Sequence, residues 1–136
     1  MIAPMEIRSA VARPPQQGAP ERFTGSVSLE PIITAPAPAG LRASLVTFSP
    51  GARTAWHTHP LGQTLFVQSG LGRVQKWGEA IQTIRPGDVV WIAPGEKHWH
   101  GASPTQAMSH IAMHEALGSD HVTWLEHVSD AQYAGK

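Results

Sequence analysis

His57-Thr-His59 and His98-Trp-His100 each repeat a histidine at the spacing that puts two side chains on one face of a β-strand. In a helix the same spacing would turn the rings about 200° apart. Gln63 follows His59 after Pro60-Leu61-Gly62, a turn that brings its amide back towards the first pair. The chemistry this arrangement suits is metal ligation by His57, His59, Gln63 and His98, from strands distant in sequence. Three neutral imidazoles and an amide leave the 2+ charge of a bound ion uncompensated. Such a centre suits Lewis-acid work on an alkoxide, or capture of a small anion, better than cycling to a 3+ ion. By affinity it accepts Mn, Fe, Co, Ni or Zn. His100 shares a strand face with His98, and His110 and His114 share one with Met108 and Ala112. Beside a dication these imidazoles stay neutral and can act as bases near pH 7, which is the role read for His100 first and His110 second. His121 and His127 lie beyond this group and read as structural or surface residues.

Strands must position these groups. Phe23–Ile33 alternates as a strand, residues 34–40 (TAPAPAG) form a loop, and Leu41–Phe48 alternates again, with Arg42, Ser44, Val46 and Phe48 on one face. A histidine strand follows at 53–59, then strands at Gln63–Ser69, Gly72–Trp77 and Ile81–Ile84. Val89–Ile92 is an apolar run of the buried-strand type and contains Trp91. Lys97–Ala102, Ala107–Glu115 and VTWLEHV (122–128) complete the strands, and Ser129-Asp-Ala-Gln132 is a capping box opening a short terminal helix. Short strands punctuated by Gly and Pro predict an all-β barrel or double-sheet jelly roll, with converging histidines inside it. Trp56 and Trp99 alternate with the ligands and should fill an outer layer. Val46, Phe48, Leu61 and Met108 form the apolar set expected to face a substrate.

With 136 residues the chain fits one domain. Residues 1–22, rich in Pro, Ala and Gln, read as an extended arm, and 23–136 as the barrel. Zero formal charge without a basic cluster makes nucleic acid and anionic membrane poor partners. No apolar run reaches the roughly 20 residues that span a bilayer, and the N-terminus lacks the apolar core of a signal peptide. With no cysteine there is neither a disulfide framework nor a thiol nucleophile, so a cytoplasmic protein acting on a small molecule is expected. A lone barrel would leave sheet edges open and the arm has little patterning of its own. A homodimer, or a dimer of dimers, with the arm packed on a neighbour is therefore expected.

The same residues carry a resemblance. Gly51, His57, His59, Gln63 and Gly70, at their spacing, resemble the first motif of the cupin superfamily, and Gly87 to His98 (GDVVWIAPGEKH) resembles the second. Gln63 stands where a Glu ligand is usual, Ala93 where Pro is, and Ala102 where Asn often is. AWHTHPLGQT, PGEKHWHGA, MSHIAMHE and the WLEHVSDAQY ending are similar to the small bacterial manganese cupins that act as (R)-selective hydroxynitrile lyases. The resemblance implies a cupin jelly-roll barrel with a short C-terminal helix, and manganese as the metal. The activity it implies is a lyase splitting cyanohydrins such as mandelonitrile into aldehyde and hydrogen cyanide. It also implies that His100 and His110 lie close to the metal and that Ser44, Val46 and His114 line the pocket. A cupin dioxygenase or oxidative-cleavage enzyme, and a ligand-binding cupin without catalysis, are the alternatives.

Overall fold

The structure is a computed structural model and describes residues 4–136. After a single 3-10 turn at Ala10–Ala12 come β1 (Gln16–Gln17), β2 (Phe23–Thr24), β3 (Val27–Thr34), β4 (Leu41–Phe48), β5 (Arg53–Thr54), β6 (His57–Thr58) and β7 (Gln63–Gly70). The second half supplies β8 (Gly72–Lys76), β9 (Gln82–Ile84), β10 (Val89–Ile92), β11 (His98–Ala102), β12 (Met108–Glu115), β13 (Thr123–Trp124) and helix α1 (Asp130–Tyr133). One sheet runs β1-β3-β4-β12-β7-β10. The other runs β13-β6-β11-β5-β2, with β8 added to β11 and β9 to β8. Every named strand pairing is antiparallel. The all-β jelly roll with a short C-terminal helix is therefore the architecture observed.

The core lies between the sheets, where alternate residues of β4, β7 and β12 meet: Val46 and Phe48, Leu65 and Val67, Met108 and Ala112. Close approaches between strands need glycine, as at Gly70 and Gly101. Gly70 ends β7 at φ +82° with Ala107 against it, and Gly101 lets β11 press on Ala52 and Arg53 of β5.

The expected histidine strand is broken into β5 and β6. Gly101 pairs with Arg53 and His98 with His57, so four steps on one strand oppose three on the other. That extra residue is a β-bulge at Ala55-Trp56, where the Ala55 and Trp56 N–H groups donate instead to Arg22 O and Glu126 O. Phe23–Ile33 is likewise interrupted at Gly25, whose φ is +83°. The run Val89–Ile92 forms a strand but is not buried: Val89 is 64% and Trp91 61% exposed. Its four apolar residues mimic a core strand, yet β10 is the outermost strand of its sheet and only Ile92 is buried. The arm runs back along its own barrel, with Gln16 and Gln17 opposite Leu29 and Ser28, and Arg13 Nη1 donates to Pro31 O at 2.8 Å. Residues 1–3 of the arm lie outside the described residues.

Behind β11 sits a second apolar cluster, Trp56, Trp99, Val128 and Tyr133, the outer layer expected for the two tryptophans. Helix α1 closes it. Ser129 accepts from Gln132 N at 3.0 Å and Gln132 Oε1 accepts from Ser129 N at 2.9 Å, the two halves of the capping box. Arg53, itself buried, ties the helix down through Asp130 Oδ1 and Val128 O, both at 2.8 Å, with its guanidinium over the Tyr133 ring. With this cover every residue of β11 is buried. Trp99→Ala empties the centre of the cluster and is expected to cost about 3–5 kcal/mol, read as a lower urea midpoint.

Candidate active site

Strand alternation aims His98 and His100 into the barrel, and the bulge before β6 sets His57 opposite His98. His57, His98 and His100 each offer a ring nitrogen, and these atoms lie within 4.8 Å of one another. The His59 ring stands 5.2 Å from that of His57 and 5.9 Å from that of His98. All four are buried, as is Gln63.

Hydrogen bonds sort these imidazoles into two kinds. His57 Nδ1 lies 2.9 Å from Ala55 O, His59 Nδ1 2.6 Å from His121 O, and His98 Nδ1 2.8 Å from Glu96 O. A carbonyl can only accept, so each neutral ring carries its proton on Nδ1 and presents a bare Nε2. His100 Nδ1 instead meets His110 Nε2 at 2.8 Å. Either ring can be the donor there, so His100 is not locked to one tautomer. Inside the barrel His59 Nε2, Gln63 Oε1, His98 Nε2 and His100 Nε2 have no partner among the described residues. Buried polar atoms left this way are costly, and converging lone pairs on imidazoles and an amide fit a divalent metal. His57, His98 and His100 are the group whose ring nitrogens converge closely enough to hold it, and His59 and Gln63 are buried beside them.

Above this floor lies a cavity of about 140 Å³. Ser44, Val46, His59, Gln63, His100 and His114 line it. His110 stands behind His100, fully buried. Phe48, Leu61 and Met108 do not line it. Phe48 continues the inward face of β4 one step deeper than Val46, and its ring packs at 5.3 Å and 6.1 Å from those of His110 and His100. Met108 is buried at the same level, opposite Phe48. Leu61 sits on the turn before β7, 38% exposed. Arg22, Phe23, Leu29, Val122 and Trp124 form wall and mouth instead. Their strands join the site only through pairing, as when β13 sets Trp124 opposite His57, and local pattern carries no sign of that. His121 also lines the cavity, which corrects its reading as a structural or surface residue: its carbonyl fixes His59 and its Nδ1 lies 3.0 Å from His114 Nε2. His127 is exposed, in keeping with its reading.

Burial dominates the electrostatics. It pushes His57 and His100 well below the ordinary histidine value, helped by neighbouring imidazoles. Burial takes His98, His110 and His114 down to about 4, and lowers His59 and His121 as well. The cavity floor is thus neutral imidazole at pH 7.

Residues 44–113 match the family model of the cupin domain, so the chain belongs to the cupin family. It is 54% identical over 129 residues, covering 95% of this chain and 98% of the relative, to a protein of Granulicella tundricola named (R)-mandelonitrile lyase. Among solved structures, a cupin-like protein from Thermotoga maritima is 36% identical with a TM-score of 0.83, over 86% of this chain and 89% of that one. The polyketide cyclase RemF from Streptomyces resistomycificus, 18% identical, matches with a TM-score of 0.68 over 95% and 90% and shares the fold alone.

The lowered histidine values predict an acid limb in stability. Folded pKa values below the unfolded value of about 6.5 mean that the unfolded chain takes up protons first as pH falls. For the metal-free protein, stability is expected to be fully present above about pH 6.5 and to be lost progressively towards pH 4. Urea midpoints measured across that range check this, and a flat profile would contradict it.

Proposed function

We propose that this chain is a metal-dependent hydroxynitrile lyase, cleaving and forming cyanohydrins of the mandelonitrile type. The observation that carries this reading is the division of the buried imidazoles. Three are anchored at Nδ1 on carbonyls beside Gln63, and an unanchored His100–His110 pair stands next to them below a partly apolar cavity. The near-full-length likeness to a protein named as such a lyase supports it.

His57, His59, Gln63 and His98 hold the metal in this reading, which is manganese by the family likeness, with Fe, Co, Ni or Zn admitted by the donor set. A divalent ion there supplies Lewis acidity that lowers the pKa of a substrate hydroxyl. His100 takes the hydroxyl proton on Nε2 while its Nδ1–H donates to His110 Nε2. The bond between the carbinol and nitrile carbons breaks, its electron pair leaves with cyanide, and the carbinol carbon becomes the aldehyde. The proton held by His100 then passes to cyanide, giving hydrogen cyanide. Phe23, Leu29, Val46 and Ala112 offer the substrate's apolar part a wall, and a volume of about 140 Å³ matches a single aromatic ring.

Elemental analysis should find about one divalent ion per chain in the wild type, and His98→Ala should lose it. His100→Ala should keep the metal yet lose cleavage about 10²–10⁴-fold, the usual cost of removing a general base. Mandelonitrile cleavage is expected to persist under strict anaerobiosis. Oxygen-dependent turnover would move the protein to an oxidative class.

A cytoplasmic homodimer, or dimer of dimers, acting without nucleic acid or membrane completes the proposal. No helix among the described residues is long and apolar enough to cross a membrane. Phe66, Val89 and Trp91 stand exposed on one outer sheet face, and Met5, Ile7 and Val11 on the arm, so a second copy has apolar surface to cover. Light scattering should report a dimer or larger, and Val89→Glu with Trp91→Glu should shift it to monomer.

A further inference from the structure

The lyase reading leaves one histidine pair in the cavity without a task. His114 projects from β12 on the same face as His110, one step nearer the mouth than Ala112, and lines the cavity. Its Nε2 lies 3.0 Å from His121 Nδ1, and the two rings lie nearly coplanar, with 11° between their planes. Its Nδ1 is buried and has no protein partner. His121 is held in turn, because its carbonyl accepts the Nδ1 proton of His59.

We propose that His114 and His121 form a second dyad in which the Nδ1–H of His114 hydrogen-bonds the cyanide group as it leaves. This rests on the lyase reading. More generally, the dyad would hold a small linear anion in the cavity.

The argument runs through tautomers. If His121 Nδ1–H donates to His114 Nε2, the His114 proton sits on Nδ1, the buried nitrogen left without a partner on a ring that lines the cavity, and is available as a donor. The reverse arrangement leaves a lone pair there. Cleavage sends the carbon–carbon electron pair onto cyanide, and only the donor tautomer meets that charge with a proton already in place. His114 keeps its proton throughout; the hydroxyl proton goes to His100, as above. The surroundings favour a negative guest. Among the described residues no carboxylate lines the cavity, Arg22 does, and Arg42 pairs opposite His114 in β4. His114 would touch the reacting group, whereas His121 is a positioning residue acting through it.

The test uses metal-loaded wild type, His114→Leu, His114→Gln and His121→Leu, each with its metal content measured. Azide serves as the linear-anion probe, titrated by calorimetry beside the kcat and KM of mandelonitrile cleavage. His114→Leu should weaken azide and lower kcat, the latter by about 10²-fold, with KM nearly unchanged. His114→Gln retains an N–H donor and should recover most of both. His121→Leu keeps the carbonyl that fixes His59 and should fall between them. Unchanged azide affinity and kcat in metal-replete His114→Leu would overturn the proposal, and so would a Gln variant no better than Leu. A wild type that cleaves no cyanohydrin would sink the lyase reading. Azide affinity that still depended on His114 would leave the anion contact standing.

Discussion

Everything in this barrel depends on three short hydrogen bonds from imidazole Nδ1 atoms to backbone carbonyls. They fix which nitrogen of His57, His59 and His98 carries the proton, and so leave the other bare towards the interior. The acceptors come from different places: Ala55 in the bulge before β6, His121 in the loop before β13, and Glu96 in the turn before β11. Each must stay within a few tenths of an ångström, because a displaced carbonyl would free the ring to turn or to change tautomer.

Keeping unpaired nitrogen and oxygen atoms away from water is expensive, at about 1–3 kcal/mol for each group. The offset comes from the outer side of the same sheet. Trp99 stands between His98 and His100 in sequence and points the other way, into the cluster with Trp56, Val128 and Tyr133. The inner residues of β11 face the site and the outer ones anchor the strand. Arg53 and the capped helix hold the cover in place, so the last turn of the chain supports chemistry on the far side of the sheet. Glu96 adds a link at the rim: its carboxylate accepts from Ala93 N at 3.0 Å and meets Lys76 at 3.1 Å while its carbonyl holds His98. An exposed ion pair contributes little stability by itself. Here it restrains the turn that aims His98.

Period-two alternation made side-chain direction legible. It placed both H-x-H pairs inward and the neighbouring Trp56 and Trp99 outward, whereas Ser44, Val46 and His114 as pocket residues came from the family resemblance. The capping box, a wholly local signal, was readable to the residue. Depth along the barrel was not readable. Phe48, Val46 and Ser44 share a face, yet only the last two reach the cavity, and which of them do depends on where along the barrel the cavity opens. Cover was not readable either. Val89–Ile92 has the composition of a core strand and lies at a sheet edge, because burial belongs to neighbours rather than to the strand. His121 was missed for a third reason. Its contribution to His59 is a backbone carbonyl, which any residue type could supply.

The cavity is assembled from two sources. Its floor and inner wall, from Ser44 to Ala112, lie within the stretch that defines cupins, whereas Arg22, Phe23, Leu29, His114, His121, Val122 and Trp124 lie outside it. Floor and doorway are therefore under separate constraint. Substitutions at 22, 29 or 122 can reshape what enters without disturbing a ligand strand, a Nδ1 anchor or the tryptophan cover. Two cupins could then keep the same reactive centre and diverge in diet, and a family assignment resting on the central stretch alone is blind to that divergence.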